Sequence, residues 1–413
     1  MTSSPYSVSR KQKWAVTPGP ATCLLIGVLA SYPPHSVAQT IATPLGPGPH
    51  SVTTTNMEVA PEYADIGNDA MHDILLGRAR PESGGPRFLT EILRYPDSAW
   101  ITQVTVPDNQ DVYGNASGET LSIPVFVSFP SAEQPQPRRY TFPYHDGEFG
   151  RFGNMLGSGE EPRFADPTER YPLIIIAHGA ESHGIYDVAH AENLASHGYI
   201  VAVITFGDDR TSDRKGLNLH LGFLRPLMTR AVVDSLLESE TFGPHIDADN
   251  IGITGHSFGG FTALAVAGAP YLANEASVSD ERIRAGVVAA PWVGGHYDGE
   301  DLYAFGPGNI ELSRVDIPVI CLFGTADEAT RASFILPAMA ELSGPTYVVE
   351  LVDQPHIFEP GSWQDRDNWE LLFFAAWLKR DAAALELLRT AQSMQGGNED
   401  VQRFEYQSKA TGN

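Results

Sequence analysis

The chain is poor in cysteine and in basic residues. Its 413 residues include only 2 cysteines, and its 27 lysines and arginines are outnumbered by 51 aspartates and glutamates, which gives a formal net charge of −24. A surface of this sign repels phosphate groups and anionic lipids. The composition therefore argues against nucleic acids and anionic membranes as partners, and it leaves the chemistry of the protein open.

The sequence also lacks an apolar run long enough to span a bilayer. The N-terminal run Cys23–Ala30 is too short for a transmembrane helix. Three basic residues between positions 10 and 13 precede it, and a small-residue motif ending at Ala38 follows it. This pattern predicts a signal peptide over residues 1–38 in a secreted or periplasmic protein, and a disordered tail is the alternative. Cleavage would leave Cys321 without a partner, so no internal disulfide is expected.

Motifs for metals and nucleotides are missing as well. Among 13 histidines there is no H-E-x-x-H motif and no cluster with cysteine, and His190 and His197 have a spacing unusual for a ligand pair. No G-x-G-x-x-G motif follows a predicted strand. We therefore expect no catalytic metal and no cofactor.

The sequence does contain short apolar runs that alternate with helix-like segments. Several runs are continuously apolar, which is typical of parallel strands covered on both faces. The alternation predicts an α/β fold with a mostly parallel, doubly wound sheet and helices on both faces. The predicted strands are Leu121–Phe129, Pro172–Ala177, Tyr199–Phe206, Ile251–Thr254, Ala285–Ala290, Ile317–Phe323 and Tyr347–Val352. The predicted helices are Asp187–Ser196, Pro226–Glu240, Phe258–Ala267, Ala329–Leu342 and Asp365–Ala391.

The remaining segments divide the chain by composition. Residues 39–99 are predicted to be an N-terminal lead-in, since their first part is rich in Pro, Gly and Thr. Residues 100–394 hold the strand and helix pattern and form the predicted catalytic domain. Within it, residues 131–171 are rich in Pro, Gly and charge and are predicted to be a surface insertion at the rim of a cleft. Residues 395–413 are predicted to be a polar, frayed tail.

One serine lies between two glycines where a predicted strand meets a predicted helix. The stretch NIGITGHSFGGFTALAVAG places Ser257 between Gly255 and Gly259. A strand that turns at once into a helix brings its two backbone segments so close that only residues without a bulky side chain fit beside the turn. The turning residue is strained, and its side chain points outward. The pattern is therefore typical of the G-x-S-x-G nucleophile elbow.

Candidate partners for Ser257 lie just beyond the ends of other predicted strands, where sites form in parallel sheets. Asp327 follows one such strand and His356 the next, in the chain order expected after a serine nucleophile. We predict Ser257 as the nucleophile, His356 as the general base and Asp327 as the group that orients it. The backbone N–H groups of Phe258 and Ala180 are predicted to bind the oxyanion, because Phe258 follows the nucleophile at the start of a helix and Ala180 lies in the loop after an earlier strand.

Other residues compete for these roles. Glu328 or Asp353 could supply the acid, and Asp353 ranks second because it lies on the histidine loop. His178, His183 and His256 are alternative bases. His256 is next to the nucleophile and His178 ends a predicted strand, so both are expected to be structural.

The same positions also allow roles outside catalysis. Asp327 could cap the helix predicted to begin near Ala329, and both uses can hold together. His356 could be a solvated loop histidine. Tyr186 and Trp292 lie in predicted rim loops, where they could line an acyl pocket or simply belong to the core.

Several stretches resemble a known family. PLIIIAHGAESHGIYDVAHAENLASHGYIVAVITFGDDR, LRPLMTRAVVDSLL and IDADNIGITGHSFGGFTAL are similar to the bacterial branch of the dienelactone hydrolase and platelet-activating-factor acetylhydrolase-like family. The resemblance covers about residues 110–385. It implies an α/β-hydrolase fold with no large separate cap, and ester hydrolysis by a triad of Ser257, Asp327 and His356.

The chain departs from each group within that family. Dienelactone hydrolases have a cysteine nucleophile where this chain has Ser257. The animal acetylhydrolases carry their acid after the preceding strand, where this chain has Val288–Pro291 and no carboxylate. The polyester-degrading relatives have an aromatic residue in place of Ala180, a tryptophan in place of His256, and disulfides. These departures favour Asp327 as the acid and lower the expectation of dienelactone or polyester substrates.

Competing functions follow from these residues. The first is an exported serine hydrolase that cleaves small carboxylic esters with short to medium acyl or alkyl chains. The second is a lipase, phospholipid acyl hydrolase or polyester hydrolase; an amidase or peptidase would use the same triad. The third is a binding protein without turnover, because one fold hosts many functions.

Overall fold

The structure is a computed structural model that describes residues 40–42, 48–63, 66, 85–86, 91–132, 140–143, 149–152, 155–208, 219–394 and 401–407. All of these lie in one compact unit, Gln39–Asn413. The predicted signal peptide, residues 1–38, lies outside the described residues.

Most of the described strands belong to one 10-stranded sheet. The strands, in chain order, are β1 (Thr40–Ala42), β2 (Ser51–Thr54), β3 (Glu58–Val59), β4 (Leu93–Arg94), β5 (Trp100–Thr105), β6 (Thr120–Ser131), β7 (Tyr140–Pro143), β8 (Phe149–Phe152), β9 (Tyr171–Ala177), β10 (Ile200–Ile204), β11 (Ile246–His256), β12 (Ile283–Ala289), β13 (Gly294–Tyr297), β14 (Glu300–Tyr303), β15 (Val319–Gly324), β16 (Thr346–Leu351), β17 (Ala391–Met394) and β18 (Val401–Gln407). The main sheet has the order β18-β16-β15-β12-β11-β9-β10-β6-β2, and β5 also pairs with β6.

The middle of this sheet is parallel. Each neighbouring pair from β16 through β15, β12, β11 and β9 to β10 runs in the same direction. Antiparallel strands close both sides, with β6 beside β10 and β18 beside β16. The mostly parallel α/β sheet predicted from the sequence is therefore confirmed, and the carboxyl ends of its central strands share one edge.

Helices cover both faces of the sheet, as predicted. In chain order they are α1 (Gln110–Tyr113), α2 (Val188–Ser196), α3 (Leu221–Glu238), α4 (Phe258–Val266), α5 (Ala332–Glu341), α6 (Pro360–Trp377) and α7 (Ala382–Thr390). Helices α3, α4 and α5 contribute to the core on one face, and α2, α6 and α7 to the core on the other. Among the described residues, no helix combines the length and the apolar character needed to cross a membrane.

Strand β9 shows why its sequence is continuously apolar. Leu173 and Ile175 belong to the core under one face, and Ile174 and Ile176 belong to the core under the other. Successive side chains of a strand point to opposite faces, so a strand covered on both sides has no polar position. All four side chains are at most 1% exposed. Burying each contributes about 1.5–3 kcal/mol relative to exposure.

The predicted central elements are present, with ends that differ by a few residues, except for the long helix Asp365–Ala391. It is two helices, Pro360–Trp377 and Ala382–Thr390. Arg380 between them has a left-handed backbone with φ of 58°. Asp381 then caps the second helix, and its side chain accepts hydrogen bonds from two N–H groups of the first turn.

The edges of the sheet differ from the sequence-based prediction. Ser51–Thr54 lies in the predicted lead-in, yet it pairs with β6 in the main sheet. Val401–Gln407 lies in the tail predicted to be frayed, yet it pairs with β16 from Gln407 opposite Thr346 to Val401 opposite Leu351. A strand at a sheet edge is held by backbone hydrogen bonds, so its polar sequence carries little signal. Within the predicted insertion, β7 and β8 form an antiparallel pair.

A largely buried ionic cluster ties α2 to α6. His190 Nδ1 lies 2.9 Å from the Asp367 carboxylate, and His190 Nε2 lies 3.1 Å from the Glu370 carboxylate. Arg366 also approaches Glu370, at 3.5 Å. Burial alone would lower the pKa of His190, but the charges of Glu370 and Asp367 outweigh it and raise this pKa to about 9.

We expect this cluster to make stability depend on pH. A histidine whose pKa is raised in the folded state stabilises it fully below the unfolded pKa of about 6.5, and loses that contribution as pH rises through about 9. Urea unfolding should therefore show a free energy that falls by on the order of 2–3 kcal/mol between pH 6 and pH 10. His190→Gln should remove most of that fall.

The exposed pair of His296 and Asp301 supplies the matched control. His296→Gln should leave the pH dependence of unfolding as in the parent, because this pair is solvated. An equal pH dependence in the parent and in His190→Gln would contradict the assignment to the buried cluster.

Candidate active site

The elbow around Ser257 has the backbone that its sequence predicts. Strand β11 ends at His256, and α4 begins at Phe258, which leaves Ser257 alone at the turn. Its φ of 56° and ψ of −119° are strained for a residue with a side chain. A Cβ on Gly255 would lie 2.4 Å from the Gly259 backbone, and one on Gly259 would lie 1.9 Å from the Ala177 carbonyl oxygen. Both glycines are therefore required by close backbone approach.

We expect Gly259→Ala to destabilise the protein by about 3 kcal/mol or more, because its methyl group would overlap backbone that cannot move aside. Urea unfolding of the purified variant measures this. Gly179→Ala is the matched control on the same rim, since its Cβ would meet nothing closer than 3.5 Å. It should stay within about 0.5 kcal/mol of the parent. Similar losses in the two variants would contradict the close approach at the elbow.

The structure brings Ser257, His356 and Asp327 together in one chain of hydrogen bonds. Ser257 Oγ lies 2.9 Å from His356 Nε2, and His356 Nδ1 lies 2.8 Å from Asp327 Oδ2. A carboxylate oxygen can only accept, so Nδ1 carries the proton and Nε2 is free to accept from the serine hydroxyl. This is the tautomer that a general base requires.

Asp327 is 5% exposed, and several donors hold it as a carboxylate. Burial alone would raise the pKa of Asp327, but hydrogen bonds from His356 and from the backbone and hydroxyl of Thr330 outweigh it and keep this pKa below its usual value. Asp327 Oδ1 accepts from the N–H groups of Ala329 and Thr330, both at 2.8 Å. The carboxylate therefore both holds a turn before α5 and orients His356. The helix itself begins later than predicted, at Ala332.

Thr330 was not identified from the sequence. Its hydroxyl lies 2.7 Å from Asp327 Oδ2, 3.0 Å from the Ala290 carbonyl oxygen and 3.2 Å from His356 Nδ1. It joins the acid, the base and the end of β12. Its position three residues after Asp327, in a turn held by a carboxylate, is the one signal that could have indicated it.

The competing bases lie elsewhere in the hydrogen-bond network. His256 Nε2 donates to the His356 carbonyl oxygen at 2.7 Å. Burial, together with the charge of His356, lowers the pKa of His256 to about 3, so it is neutral. His183 accepts from the Ile185 N–H. His178 accepts from the Phe206 N–H at 3.2 Å. The competing acids Glu328 and Asp353 are exposed.

The two predicted oxyanion donors belong to segments that border Ser257. Ala180 is in the loop after β9, and Phe258 is the first residue of α4, where helix N–H groups have no intrahelical partner. A Cβ on Gly179 would lie 3.7 Å from Ser257 Cβ, so the Ala180 loop is adjacent to the nucleophile. The structure thus places the Ala180 loop and the first residue of α4 next to the serine.

The two aromatic candidates belong largely to the core. Trp292 is 6% exposed, its ring centroid lies 5.6 Å from that of Phe258, and its backbone N–H donates to the Ser257 carbonyl oxygen at 3.0 Å. Its indole N–H donates to the hydroxyl of Tyr297, which is exposed. Tyr186 is partly buried against the other core. Trp292 therefore braces the elbow, and Tyr297 is the exposed aromatic of this group.

Four residues with positive φ mark the rim. Glu181, Ser257, Ala290 and Asp353 have φ between 44° and 57°, and each lies just beyond the end of a central strand. Strained backbone of this kind often clusters at functional sites. Within the part of the chain that the structure describes, no group of three or more His, Cys, Asp or Glu side chains is arranged to hold a metal ion.

Two comparisons with known proteins point the same way. The family model for platelet-activating factor acetylhydrolase, isoform II, matches residues 152–214, which include β9, the Ala180 loop, α2 and β10. The platelet-activating factor acetylhydrolase of Canis lupus familiaris is 27% identical over 169 residues. That match covers 30% of this chain and 36% of the dog protein, so the chain spans about a third of the length of this curated relative.

The matched segments, the parallel sheet and the strand–turn–helix elbow agree with one another. Together they support a similarity to the platelet-activating-factor acetylhydrolase-like branch of the α/β-hydrolase superfamily.

Proposed function

We propose that this protein is a serine hydrolase that cleaves carboxylic esters with short to medium acyl or alkyl chains. The observation that carries the proposal is the continuous hydrogen-bond chain from Ser257 Oγ through His356 to Asp327, built on a strained elbow. Ser257 lies at the edge where the central parallel strands end, which is where α/β proteins place their sites. The family matches support the same class of reaction.

The proposed reaction has two halves. Ser257 Oγ attacks the ester carbonyl carbon while His356 Nε2 takes the hydroxyl proton, and Asp327 stabilises the imidazolium that forms. The Ala180 and Phe258 N–H groups hold the oxyanion, and the dipole of α4 adds to the second donor. His356 then protonates the leaving alcohol. Water, deprotonated by His356, cleaves the acyl-enzyme and restores Ser257.

The charge of the rim favours uncharged or cationic esters. Glu181, Glu328 and Asp353 are exposed and follow strands that end around Ser257. Three carboxylates on one rim repel an anionic substrate. An uncharged or cationic ester is therefore the proposed substrate class, in keeping with the net charge of −24.

A phospholipid acyl hydrolase is the second candidate function. The observation that favours it is the similarity to the dog protein, which is a platelet-activating factor acetylhydrolase. This candidate predicts higher rates on aggregated or long-chain substrates than on short soluble esters.

Initial rates on p-nitrophenyl esters from acetate to palmitate test the proposal. We expect turnover that is highest for short and medium chains. A maximum at palmitate that appears only above the aggregation threshold would favour the lipid-directed candidate. An absence of turnover on all of them would overturn the proposed activity.

Covalent labelling separates an enzyme from a binding protein on the same fold. A fluorophosphonate should add one phosphonyl group, which peptide mass spectrometry should locate on Ser257. A folded protein that neither turns over esters nor takes up the label would fit the binding function instead.

We also propose that the protein is exported, on the basis of the signal-peptide pattern over residues 1–38. N-terminal sequencing of protein recovered outside the cytoplasm should begin at Gln39. Recovery of uncleaved chain from the cytoplasm would contradict export.

A further inference from the structure

Arg225 is a buried cation near the proposed active site, and the proposed reaction does not use its charge directly. Its side chain is 0% exposed and forms an ion pair with the buried carboxylate of Asp208. The guanidinium carbon lies 4.6 Å from the ring centroid of Phe206 and 4.7 Å from that of Phe258. A buried ion pair is weak evidence for stability, because removing two charges from water costs about as much as their attraction returns. The burial of Arg225 therefore needs an explanation other than the stability of the ion pair.

The remaining donors of Arg225 bind the loop that follows β9. Nη1 donates to the His178 carbonyl oxygen at 2.6 Å, and Nη2 donates to the Gly179 carbonyl oxygen at 2.9 Å. One planar guanidinium thus holds two successive carbonyl groups while it also binds Asp208. The flat, forked geometry of arginine allows this, whereas the single ammonium of lysine does not match it.

His178 adds a second donor to the same carbonyl. The Phe206 N–H donates to His178 Nε2, so the ring proton lies on Nδ1 and is donated to the Gly179 oxygen at 2.7 Å. Burial, with the nearby charge of Arg225, lowers the pKa of His178 well below its usual value and keeps this neutral tautomer. The Gly179 oxygen is therefore fixed by two donors from the protein interior.

The direction of this carbonyl sets the direction of the predicted oxyanion donor. The Gly179 C=O and the Ala180 N–H belong to one planar trans peptide unit, in which the two groups point to opposite sides. Holding the oxygen toward Arg225 turns the Ala180 N–H away from it, and the loop borders Ser257. The same guanidinium packs on the ring of Phe258, whose N–H is the other predicted donor.

We propose that Arg225 is a positioning residue that orients both backbone donors of the oxyanion hole through its bonds to the His178–Gly179 carbonyls and its contact with Phe258. This inference rests on the proposed ester hydrolysis. Arg225 does not touch the substrate in this scheme. It fixes the donors before the reaction begins, which is the condition under which such donors lower a barrier.

Two variants test the proposal, so that the test still stands if one of them fails to fold. Arg225→Lys keeps the charge opposite Asp208 but cannot bind two carbonyls and a carboxylate in one plane. The double variant Arg225→Met/Asp208→Asn removes both charges, so that no buried carboxylate is left without a partner. Arg230→Met is the matched control, because Arg230 lies on the same helix and is exposed.

The measurements distinguish a misplaced oxyanion donor from a smaller amount of folded protein. The fraction of active protein is taken from the end point of fluorophosphonate titration after long incubation. We then measure kcat and KM on the best p-nitrophenyl ester, and the Ki of a trifluoromethyl ketone with the same acyl chain. This inhibitor forms a tetrahedral adduct with the serine, and its oxyanion occupies the hole.

For both Arg225 variants we expect kcat per active site to fall by about 100-fold or more, as for a lost or misplaced oxyanion donor. KM should change by no more than about threefold, since ground-state binding is retained. The Ki of the ketone should rise by the same factor as kcat/KM falls. Arg230→Met should match the parent in all three quantities.

Other results overturn the inference. Full kcat per active site in either variant, or a Ki that stays at the parent value while kcat falls, would show that Arg225 does not act through the oxyanion donors. An inactive parent would instead overturn the proposed hydrolysis and with it the role that depends on it. The two results on the Arg225 variants can be observed only with an active parent protein. They are therefore distinguishable from a failure of the proposed hydrolysis.

Discussion

Ser257→Ala should lower kcat on p-nitrophenyl esters by about 10⁵- to 10⁶-fold, the loss expected when the nucleophile of a Ser-His-Asp triad is removed. The remaining groups cannot compensate, because His356 would have no hydroxyl within 2.9 Å of Nε2 to activate. Stability should change little or rise slightly, since the strained residue at φ of 56° loses only its hydroxyl group. Initial rates at saturating ester, with urea unfolding of the same samples, measure both effects.

The control is the same serine-to-alanine change at a position outside the site. Ser313 is exposed and donates only to the Ile310 carbonyl oxygen, so Ser313→Ala should retain the parent kcat. The Ser257→Ala protein should also fail to take up a fluorophosphonate. Retention of more than about 1% of the parent kcat would assign the nucleophile to another residue.

Asp327→Asn should lower kcat by about 10⁴-fold while the fold is retained. Asp327 Oδ1 accepts from two backbone N–H groups, so this position must remain a carbonyl oxygen in the amide. The NH₂ group is then forced to the side of His356 Nδ1, where it donates instead of accepting. The proton of His356 moves to Nε2, and the ring can no longer take the proton of Ser257. The Thr330 hydroxyl can still donate to the Ala290 carbonyl oxygen, which preserves the turn.

Two neighbouring carboxylates provide the controls. Asp353→Asn and Glu328→Gln change the other candidate acids, both of them exposed, and should leave kcat within about threefold of the parent. Rates should be compared after urea unfolding has confirmed that Asp327→Asn is folded. A larger loss in Asp353→Asn than in Asp327→Asn would move the acid to the histidine loop.

Local elements could be predicted from the amino-acid sequence, because each of them has its own physical signal. Strand β9 is continuously apolar since both of its faces are covered, and this periodicity is visible without any knowledge of its neighbours. The elbow is equally local, because Gly255 and Gly259 are needed for contacts within a few residues and with the adjacent strand. Asp327 and His356 required one further rule, that parallel strands present their carboxyl ends at one edge.

The sequence could not predict features that depend on distant partners. Ser51–Thr54 and Val401–Gln407 become strands because β6 and β16 offer free backbone groups, which no local pattern reports. The break at Arg380 within the predicted long helix depends on a left-handed residue that is not glycine. Trp292 in a rim loop could line a pocket or brace the core, and only its packing on Phe258 and Phe261 decides for the core.

By itself, the sequence determined the fold class, the strained serine and the chain order of its two partners, because periodicity, glycine sterics and strand ends act over short distances. Only the tertiary structure decided which groups surround them. The Thr330 bridge between Asp327 and His356 is one case. The bonds from Arg225 to two carbonyls 46 and 47 residues away are another. A side chain that acts on distant backbone leaves no pattern in its own segment, since its partners are brought to it by the winding of the sheet.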